Sequence, residues 1–352
     1  MEQQIQTLRE RILDAIESAE PLKIQGGKSK SFYGRDIEGE TLDMTSYTGI
    51  INYEPTELFI TARSGTPINL IKQTLADSGQ MLAFEPPQVD SNTTIGGAIS
   101  TGLSGPRRPY AGSVRDYVLG VRCMNGLGKD MSFGGQVMKN VAGYDLSRLM
   151  TGALGTLGVL LEISIKVLPL PEFESTCRKS MNARKAVLMM NELSSKSLPL
   201  SAACYDGKYL FLRLSGNKKV VTEVLNTLDF EEYLNGEQWW QGLRDYALPI
   251  FKSEKPLWRL SVPSTVQFDL HEEEFLIDWG GAQYWLVSDR PAQEIFNQAE
   301  EAGGSATLFR YGDHHAEVFQ PLTDELFKLH SGLKQAFDPH RILNPGKMYA
   351  TI

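Results

Sequence analysis

Apolar residues Ile5, Leu8, Ile12 and Ile16 recur at helical spacing and predict a one-sided amphipathic helix over residues 2–19, closed by Pro21. A short strand, Leu22–Gln25, should follow and run into GGKSKSFYG at 26–34, a turn with two lysines and no acidic residue. Residues 58–62 read as a strand, and 67–78 as a helix through Ile68, Ile71 and Leu75, with Gly79 placed to end it. Residues 118–133 read as a hairpin with Asn125-Gly126 as its turn, and alternating apolar positions predict a strand over 159–167. Pro169 and Pro171 then mark a boundary. Beyond it glycine becomes sparser and the pattern turns antiparallel. A helix over 185–194, a hairpin at Asp206-Gly207 and a mainly helical stretch at 217–248 precede strands in LWRLSVP and FLIDWGGAQYWLV, the latter bent at Gly280-Gly281. A helix over 291–302, a strand over 306–311 and a last helix with the stripe Leu322, Leu326, Leu329 and Leu333 lead to FDPHRILNPGKM.

Strands and helices mixed in this way over 352 residues suggest two domains. A net charge of −8 gives no support to a nucleic-acid-binding face, so an anionic ligand would have to be held locally. No run approaches the roughly 18 to 20 apolar residues that span a bilayer, and MEQQIQTLRERI lacks the apolar core of a signal peptide. The expectation is a soluble cytoplasmic chain without direct membrane insertion. Cys123, Cys177 and Cys204 match neither a disulfide framework nor a CxxC pair and read as buried thiols; they offer no iron–sulfur ligand set.

The candidate chemistry lies in the glycines. TIGGAISTGLSG at 94–105 combines Gly96, Gly97, Gly102 and Gly105 with the hydroxyls of Thr94, Ser100, Thr101 and Ser104, a composition suited to backbone lying against a large polar ligand. GGKS at 26–29 imitates the end of a P-loop, but the first glycine of that motif would fall at Leu22. GALGTLG at 152–158 precedes a strand, whereas a Rossmann turn joins a strand to a helix. What remains is a cofactor pyrophosphate held by several loops, with the backbone around Gly26, Gly27, Gly96 and Gly97 expected to contribute more than Lys28 or Lys30 individually. No nucleophile elbow, HExxH motif or carboxylate pair supports hydrolysis. GDHHAE at 312–317 reads as a polar surface turn, since adjacent histidines on a strand point apart, and no metal site is expected. Arg259 and Arg310 are candidates to hold a substrate carboxylate bidentately.

The ordered segments GGKSKSFYG, ARSGTPINLI, FEPP with TIGGAISTGLSG, and KNVAGYDLSRLMTGALGTLGVL resemble the FAD-binding family of vanillyl-alcohol oxidase and p-cresol methylhydroxylase (PCMH). Together with IDWGGAQYWL and FDPHRILNPGKM, they are similar to the FAD-binding subunits of bacterial glycolate oxidases over nearly the whole chain. The resemblance implies an α+β fold with a two-subdomain PCMH-type FAD-binding domain at 1–171, a smaller antiparallel-sheet cap at 172–312, and a C-terminal helix and tail at 313–352 returning to the flavin domain. It implies that Gly26, Gly27, Lys28, Ser29 and Lys30 wrap the FAD pyrophosphate, that Thr94, Ile95, Gly96, Gly97, Thr101, Gly102 and Ser104 continue along the phosphates, and that Gly158 and Val159 lie beside the adenosine half. Lys139, Asn140, Tyr144 and Asp145 belong to a shared stretch with no assigned role. Some relatives attach the flavin through a first-loop histidine; this chain has none before His271, so dissociable, non-covalent FAD is expected.

The function so implied is that of an FAD-binding subunit of a glycolate oxidase or dehydrogenase complex, which oxidises this small 2-hydroxy acid to glyoxylate. The expected partners are a larger FAD-containing subunit and an iron–sulfur subunit, through which the complex would meet the inner membrane. The histidine-rich glycine motif of single-chain 2-hydroxyacid dehydrogenases is missing, which favours a subunit over the two alternatives: a self-sufficient FAD-dependent 2-hydroxyacid dehydrogenase, and a structural subunit with a vestigial flavin site.

Overall fold

The computed structural model describes residues 2–135, 145–270 and 273–352; Lys139, Asn140, Tyr144 and His271 lie outside them. The opening helix α1 (Glu2–Ser18) buries Leu8, Ile12 and Ala15. Strand β1 (Leu22–Gln25) pairs in parallel with β2 (Glu40–Asp43), whose single buried residue leaves little apolar pattern to read in sequence. Next come β3 (Ile50–Glu54), β4 (Phe59–Arg63), α2 (Ile68–Ala76), β5 (Gln80–Met81) and α3 (Ile95–Thr101). Two short helices, α4 (Arg108–Ala111) and α5 (Val114–Tyr117), lead to the hairpin of β6 (Val118–Met124) and β7 (Asp130–Gly134). After α6 (Leu146–Leu149), strand β8 (Val159–Lys166) enters the middle of a five-stranded sheet of order β3-β4-β8-β6-β7, and β9 (Leu168–Pro169) pairs with β5. Both sides of β8 are covered: Val159 and Leu161 pack with α1, while Leu160, Ile163 and Ile165 join the apolar residues of α2 and α3. That is why six of its eight residues are buried.

From β10 (Phe173–Ser180) onward the chain builds a second sheet. Its further elements are α7 (Ala183–Ser194), β11 (Leu200–Tyr205), β12 (Tyr209–Gly216), α8 (Lys218–Thr227), β13 (Glu231–Glu232), α9 (Gly236–Arg244), β14 (Leu257–Ser261), β15 (Glu274–Asp278), β16 (Gln283–Val287), α10 (Ala292–Glu301) and β17 (Ser305–Arg310). The eight strands pair antiparallel in the order β13-β10-β12-β11-β15-β16-β14-β17. One face packs on α7 and α10; the other carries aromatic residues that meet Tyr33, Leu103 and Leu154 from the N-terminal part.

Three sequence expectations change here. FLIDWGGAQYWLV is a hairpin, not one bent strand, because Trp279, Gly280 and Gly281 take φ of +54°, +66° and +103° in succession and reverse the chain. The turn at Asn125 spans five residues: Asn125 Oδ1 accepts from the N–H groups of Leu127 and Lys129, and Gly126 N–H is drawn to the Phe337 carbonyl. The leucine stripe of α11 (Asp324–Phe337) leaves Leu326 and Leu329 exposed. The buried residue of that helix is Lys334, whose ammonium donates to the carbonyls of Thr156 and Leu343 and pairs with buried Asp338, each at 2.8 Å. Asp338 in turn accepts from the N–H groups of Ile342 and Leu343, so the helix end is sewn to the tail and to the loop before β8. The three cysteines are free and buried. Among the described residues no helix is long and apolar enough to cross a membrane.

Candidate functional site: a cavity between two glycine loops

After β1 the chain turns against the start of α3, and the two glycine loops interlock. A Cβ on Gly26 would lie 2.5 Å from Thr94 Oγ1, and one on Gly27 only 1.5 Å from the Asn92 carbonyl oxygen. Thr93 Oγ1 donates to Ser29 Oγ at 3.0 Å. Gly26 and Gly27 are therefore required by loop-to-loop contact, whatever else they touch. Beside them lies a cavity of about 430 Å³ walled by both loops, Phe32, Tyr33, Ser64, Leu154, Gly155, Gly158, Asn344 and Lys347. Its size is that of small-molecule and cofactor sites.

The first loop lines the cavity and carries unused donors. The backbone N–H groups of Gly27, Lys28, Ser29 and Lys30 meet no protein acceptor among the described residues, and Lys28, at φ +60°, supplies the left-handed step of a backbone anion nest. Two buried side-chain atoms at the wall, Ser64 Oγ and Gln25 Oε1, also lack a partner. Such groups are costly to bury unless a ligand or water meets them. Lys28 is exposed, but Lys30 is not: it is 7% exposed, and its ammonium contacts the Pro87 carbonyl at 3.3 Å. Burial lowers its pKa to about 8, against the opposing pull of Asp90 and Asp245. Lys347 is likewise brought down to about 8 by burial, despite Asp36, while its ammonium donates to the Arg35 carbonyl at 2.8 Å.

The second loop behaves differently. The N–H of Ile95 donates to the Thr66 carbonyl, that of Gly96 to the Ser64 carbonyl at 2.8 Å, and that of Gly97 to Thr94 Oγ1 at 3.2 Å. The hydroxyls of Thr101 and Ser104 are engaged too: Thr101 Oγ1 donates to the Gly97 carbonyl and Ser104 Oγ accepts from Val114 N–H, while Ser100 lies at the cavity wall. Capping and packing of α3 therefore take up the N–H groups of Ile95, Gly96 and Gly97. What this loop contributes is shape. A Cβ on Gly96 would meet the Ser64 carbonyl oxygen at 2.8 Å, whereas one on Gly97, at the cavity wall, would meet only Thr94 Oγ1 within 4 Å.

Gly26, Gly27, Lys28, Ser29, Lys30, Thr94, Gly96, Gly97, Thr101 and Gly158 are thus brought together around one cavity. Ile95, Gly102, Ser104 and Val159 are not on its wall: Ile95 and Val159 are core, Gly102 is the left-handed cap of α3 at φ +65°, and Ser104 holds the start of α5. Asp145 caps α6 through Arg148 N–H. Sequence reasoning missed Ser64, Asn344 and Lys347. Asn344 Oδ1 accepts from Ile24 N–H at 2.7 Å and its Nδ2 donates to the Leu154 carbonyl at 2.6 Å, so the NPGK of the tail closes the cavity. The signal was there, in the motifs containing Ser64, Asn344 and Lys347, but nothing local tied them to the first loop.

Next to the cavity stands an aromatic cluster on the inner face of the large sheet. Arg259 of β14 donates to Tyr33 Oη at 3.0 Å, and Arg310, at the end of β17, lies 4.1 Å over the Phe32 ring and 5.5 Å over that of Tyr246. Both candidate arginines therefore contact residues that follow the first glycine loop. Neither forms an ion pair among the described residues.

Comparison with known proteins accords with this geometry. Residues 3–134 match the FAD binding domain family, and residues 312–348 match the C-terminal domain of FAD linked oxidases. The solved 4-ethylphenol oxidase from Gulosibacter chungangensis shares the fold, with a TM-score of 0.75 at 14% identity over 99% of this chain and 88% of that one. Fold and site define an FAD-dependent oxidoreductase. The chain belongs to the family of glycolate oxidase subunit GlcE: it is 48% identical to that protein of Escherichia coli (strain K12) over 348 residues, 99% of this chain and 98% of the relative. It is also 42% identical to glycolate oxidase subunit GlcD of Bacillus subtilis (strain 168), over 76% of this chain and 71% of that one. The cavity suits FAD on its own terms, since a nest of four free N–H groups with Lys30 and Lys347 beside it matches a pyrophosphate, and Ser64 and Gln25 offer unsatisfied polar atoms at the wall.

Proposed function

We propose that this chain binds FAD without a covalent bond in the cavity between its glycine loops and acts as the FAD-binding subunit of a complex that oxidises glycolate to glyoxylate. The observation carrying this reading is the run of unpartnered N–H groups at 27–30 at the cavity wall, in a chain 48% identical to a glycolate oxidase subunit. In this reading residues 1–171 hold FAD, 172–312 form the cap, and 313–352 close the site through Asn344 and Lys347. FAD, when bound, supplies the two-electron acceptor that converts an alcohol to a carbonyl. The chain's own part is to hold the pyrophosphate with backbone and lysines, to shape the cavity with Gly97, and to present arginine to the substrate carboxylate. Arg259 and Arg310 are the sequence's candidates for that last task. Electrons leave through a larger FAD-containing subunit and an iron–sulfur subunit, with any membrane contact made by those partners.

The purified chain should be yellow, or become so when FAD is added, and should lose the flavin on acid precipitation. Absence of flavin after reconstitution of folded protein would leave only the structural-subunit alternative. Glycolate with an artificial electron acceptor then separates the remaining two, because robust turnover by the isolated chain favours the self-sufficient dehydrogenase, and turnover only on co-purification with a second flavoprotein and an iron–sulfur protein favours the subunit.

A further inference from the structure

The leucine stripe of α11 gives no local reason to bury a lysine, yet Lys334 is 1% exposed. An ammonium has three N–H donors, and this one meets three acceptors, each at 2.8 Å: the Thr156 carbonyl, the Leu343 carbonyl and the Asp338 carboxylate. Replacing a buried ion pair by apolar side chains is often neutral for stability, so stability alone is a weak reason for the arrangement. What an apolar side chain cannot serve is the pair of carbonyls. Both oxygens carry partial negative charge and converge on one cation; without a donor between them they repel and are left unsatisfied.

Those carbonyls belong to the two segments that close one side of the cavity between the glycine loops. Leu154 and Gly155 precede Thr156, Asn344 follows Leu343, and all three line the cavity. They also touch each other: Asn344 Nδ2 donates to the Leu154 carbonyl at 2.6 Å, and a Cβ on Gly155 would come within 2.8 Å of that nitrogen. The rest of the tail is fixed from other sides. Leu22 N–H donates to the Ile342 carbonyl, Asn344 N–H donates to the Leu22 carbonyl, and Asp338 accepts from Leu343 N–H. Strand β1 thus holds the tail beside the first glycine loop, while Lys334 ties it to the loop before β8.

We propose that Lys334 is a positioning residue for the cofactor: by binding the carbonyls of Thr156 and Leu343 at once, it sets how closely Asn344 approaches Leu154 and Gly155, and so the shape of the cavity that holds FAD. Lys334 itself is not on the cavity wall, and its effect passes through Asn344. Asp338 keeps the ammonium in place, and Gly126 leaves it room, since a Cβ there would lie 2.2 Å from Asp338 Oδ1. The inference rests on the reading that FAD lies in this cavity.

The test is FAD titration of the whole chain, with melting of the apoprotein measured beside it. Lys334→Met keeps nearly the length of the side chain and removes its donors, whereas Lys334→Gln keeps two N–H donors without the charge. Ile295→Val trims the core on the other face of the large sheet and controls for lost stability alone. Lys334→Met should weaken FAD by about tenfold or more through faster release, Lys334→Gln by a smaller factor, and Ile295→Val by less than about twofold. Hydrogen exchange at 154–156 and 343–347 should rise in Lys334→Met, with that of α7 unchanged. If Lys334→Met does not fold, the comparison of Lys334→Gln with Ile295→Val decides. A folded Lys334→Met that binds FAD as the wild type does, or a loss in Ile295→Val as large as in the Lys334 variant, overturns the assignment and leaves the cavity reading standing. If the wild type takes up no FAD, or if folded Gly97→Val retains it unchanged, the cavity reading fails and the assignment falls with it.

Discussion

The two glycine loops have similar composition and opposite roles. At 26–30 the chain leaves a strand and passes through a left-handed residue, and four residues in a row at the cavity wall carry N–H groups with no acceptor among the described residues. At 94–105 the same mixture of glycine and hydroxyl residues starts a helix, and the N–H groups of Ile95, Gly96 and Gly97 close on Thr66, Ser64 and Thr94. One loop supplies hydrogen-bond donors; the other supplies a close, well-anchored wall. Glycine content signals that backbone comes close to something, and only the partner tells whether that is ligand or protein.

The sharpest break of this comparison is Gly27→Ala, whose Cβ would collide with backbone, the Asn92 carbonyl oxygen, at 1.5 Å. It should destabilise the fold by about 3 kcal/mol or more, seen as a large drop in melting temperature with loss of flavin. Gly97→Val should do the reverse. Its Cβ meets only Thr94 Oγ1, at 3.3 Å, within 4 Å, so the protein should fold while FAD affinity falls at least about tenfold, or 1.4 kcal/mol. Unchanged flavin content in folded Gly97→Val would place the cofactor elsewhere. Thr94→Val removes the cap on Gly97 and should cost about 1 kcal/mol in chemical denaturation, with a smaller change in flavin retention. Lys28→Ala, at an exposed position, should change FAD affinity by about twofold at most in equilibrium dialysis, because the loop N–H groups, buried Lys30 and half-buried Lys347 remain.

Acidity sharpens the contrast from another side. Lys30 and Lys347 have pKa values near 8 in the fold, below the ordinary 10.5, because burial penalises their charged forms. Between those values the unfolded chain binds more protons, so their contribution makes the apoprotein more stable as pH rises from about 8 to 10.5. FAD affinity should move the other way, since a bound pyrophosphate favours the protonated lysines and loses them above about pH 8. Lys30→Met should weaken both trends, measured by melting and by flavin titration across this range.

Much of the fold was legible in local patterns. The stripe of Ile5, Leu8 and Ile12 marked α1, the strand before the first loop fell at Leu22–Gln25, and Asp206-Gly207 joined β11 to β12. Elements with few buried residues were not legible, as with β2, where the pairing partner and not the residue pattern makes the strand. Lys334 was invisible for the same reason. A lysine in a leucine-striped helix reads as exposed, and it is buried only because the carbonyls of Thr156 and Leu343 and the carboxylate of Asp338 converge on it.

By itself the sequence determined the identity and order of the glycine loops, the helices and strands with a buried face, and the family to which those motifs belong, because each depends on neighbours within a few residues. The tertiary structure alone decided which N–H groups stay free, that Asn344 and Lys347 meet Leu154 and Ser31 at one cavity, and that Lys334 is buried among carbonyls while Lys28 is exposed. The physical reason is that a donor or a charge is defined by what faces it, and in this chain the facing group comes from tens to hundreds of residues away.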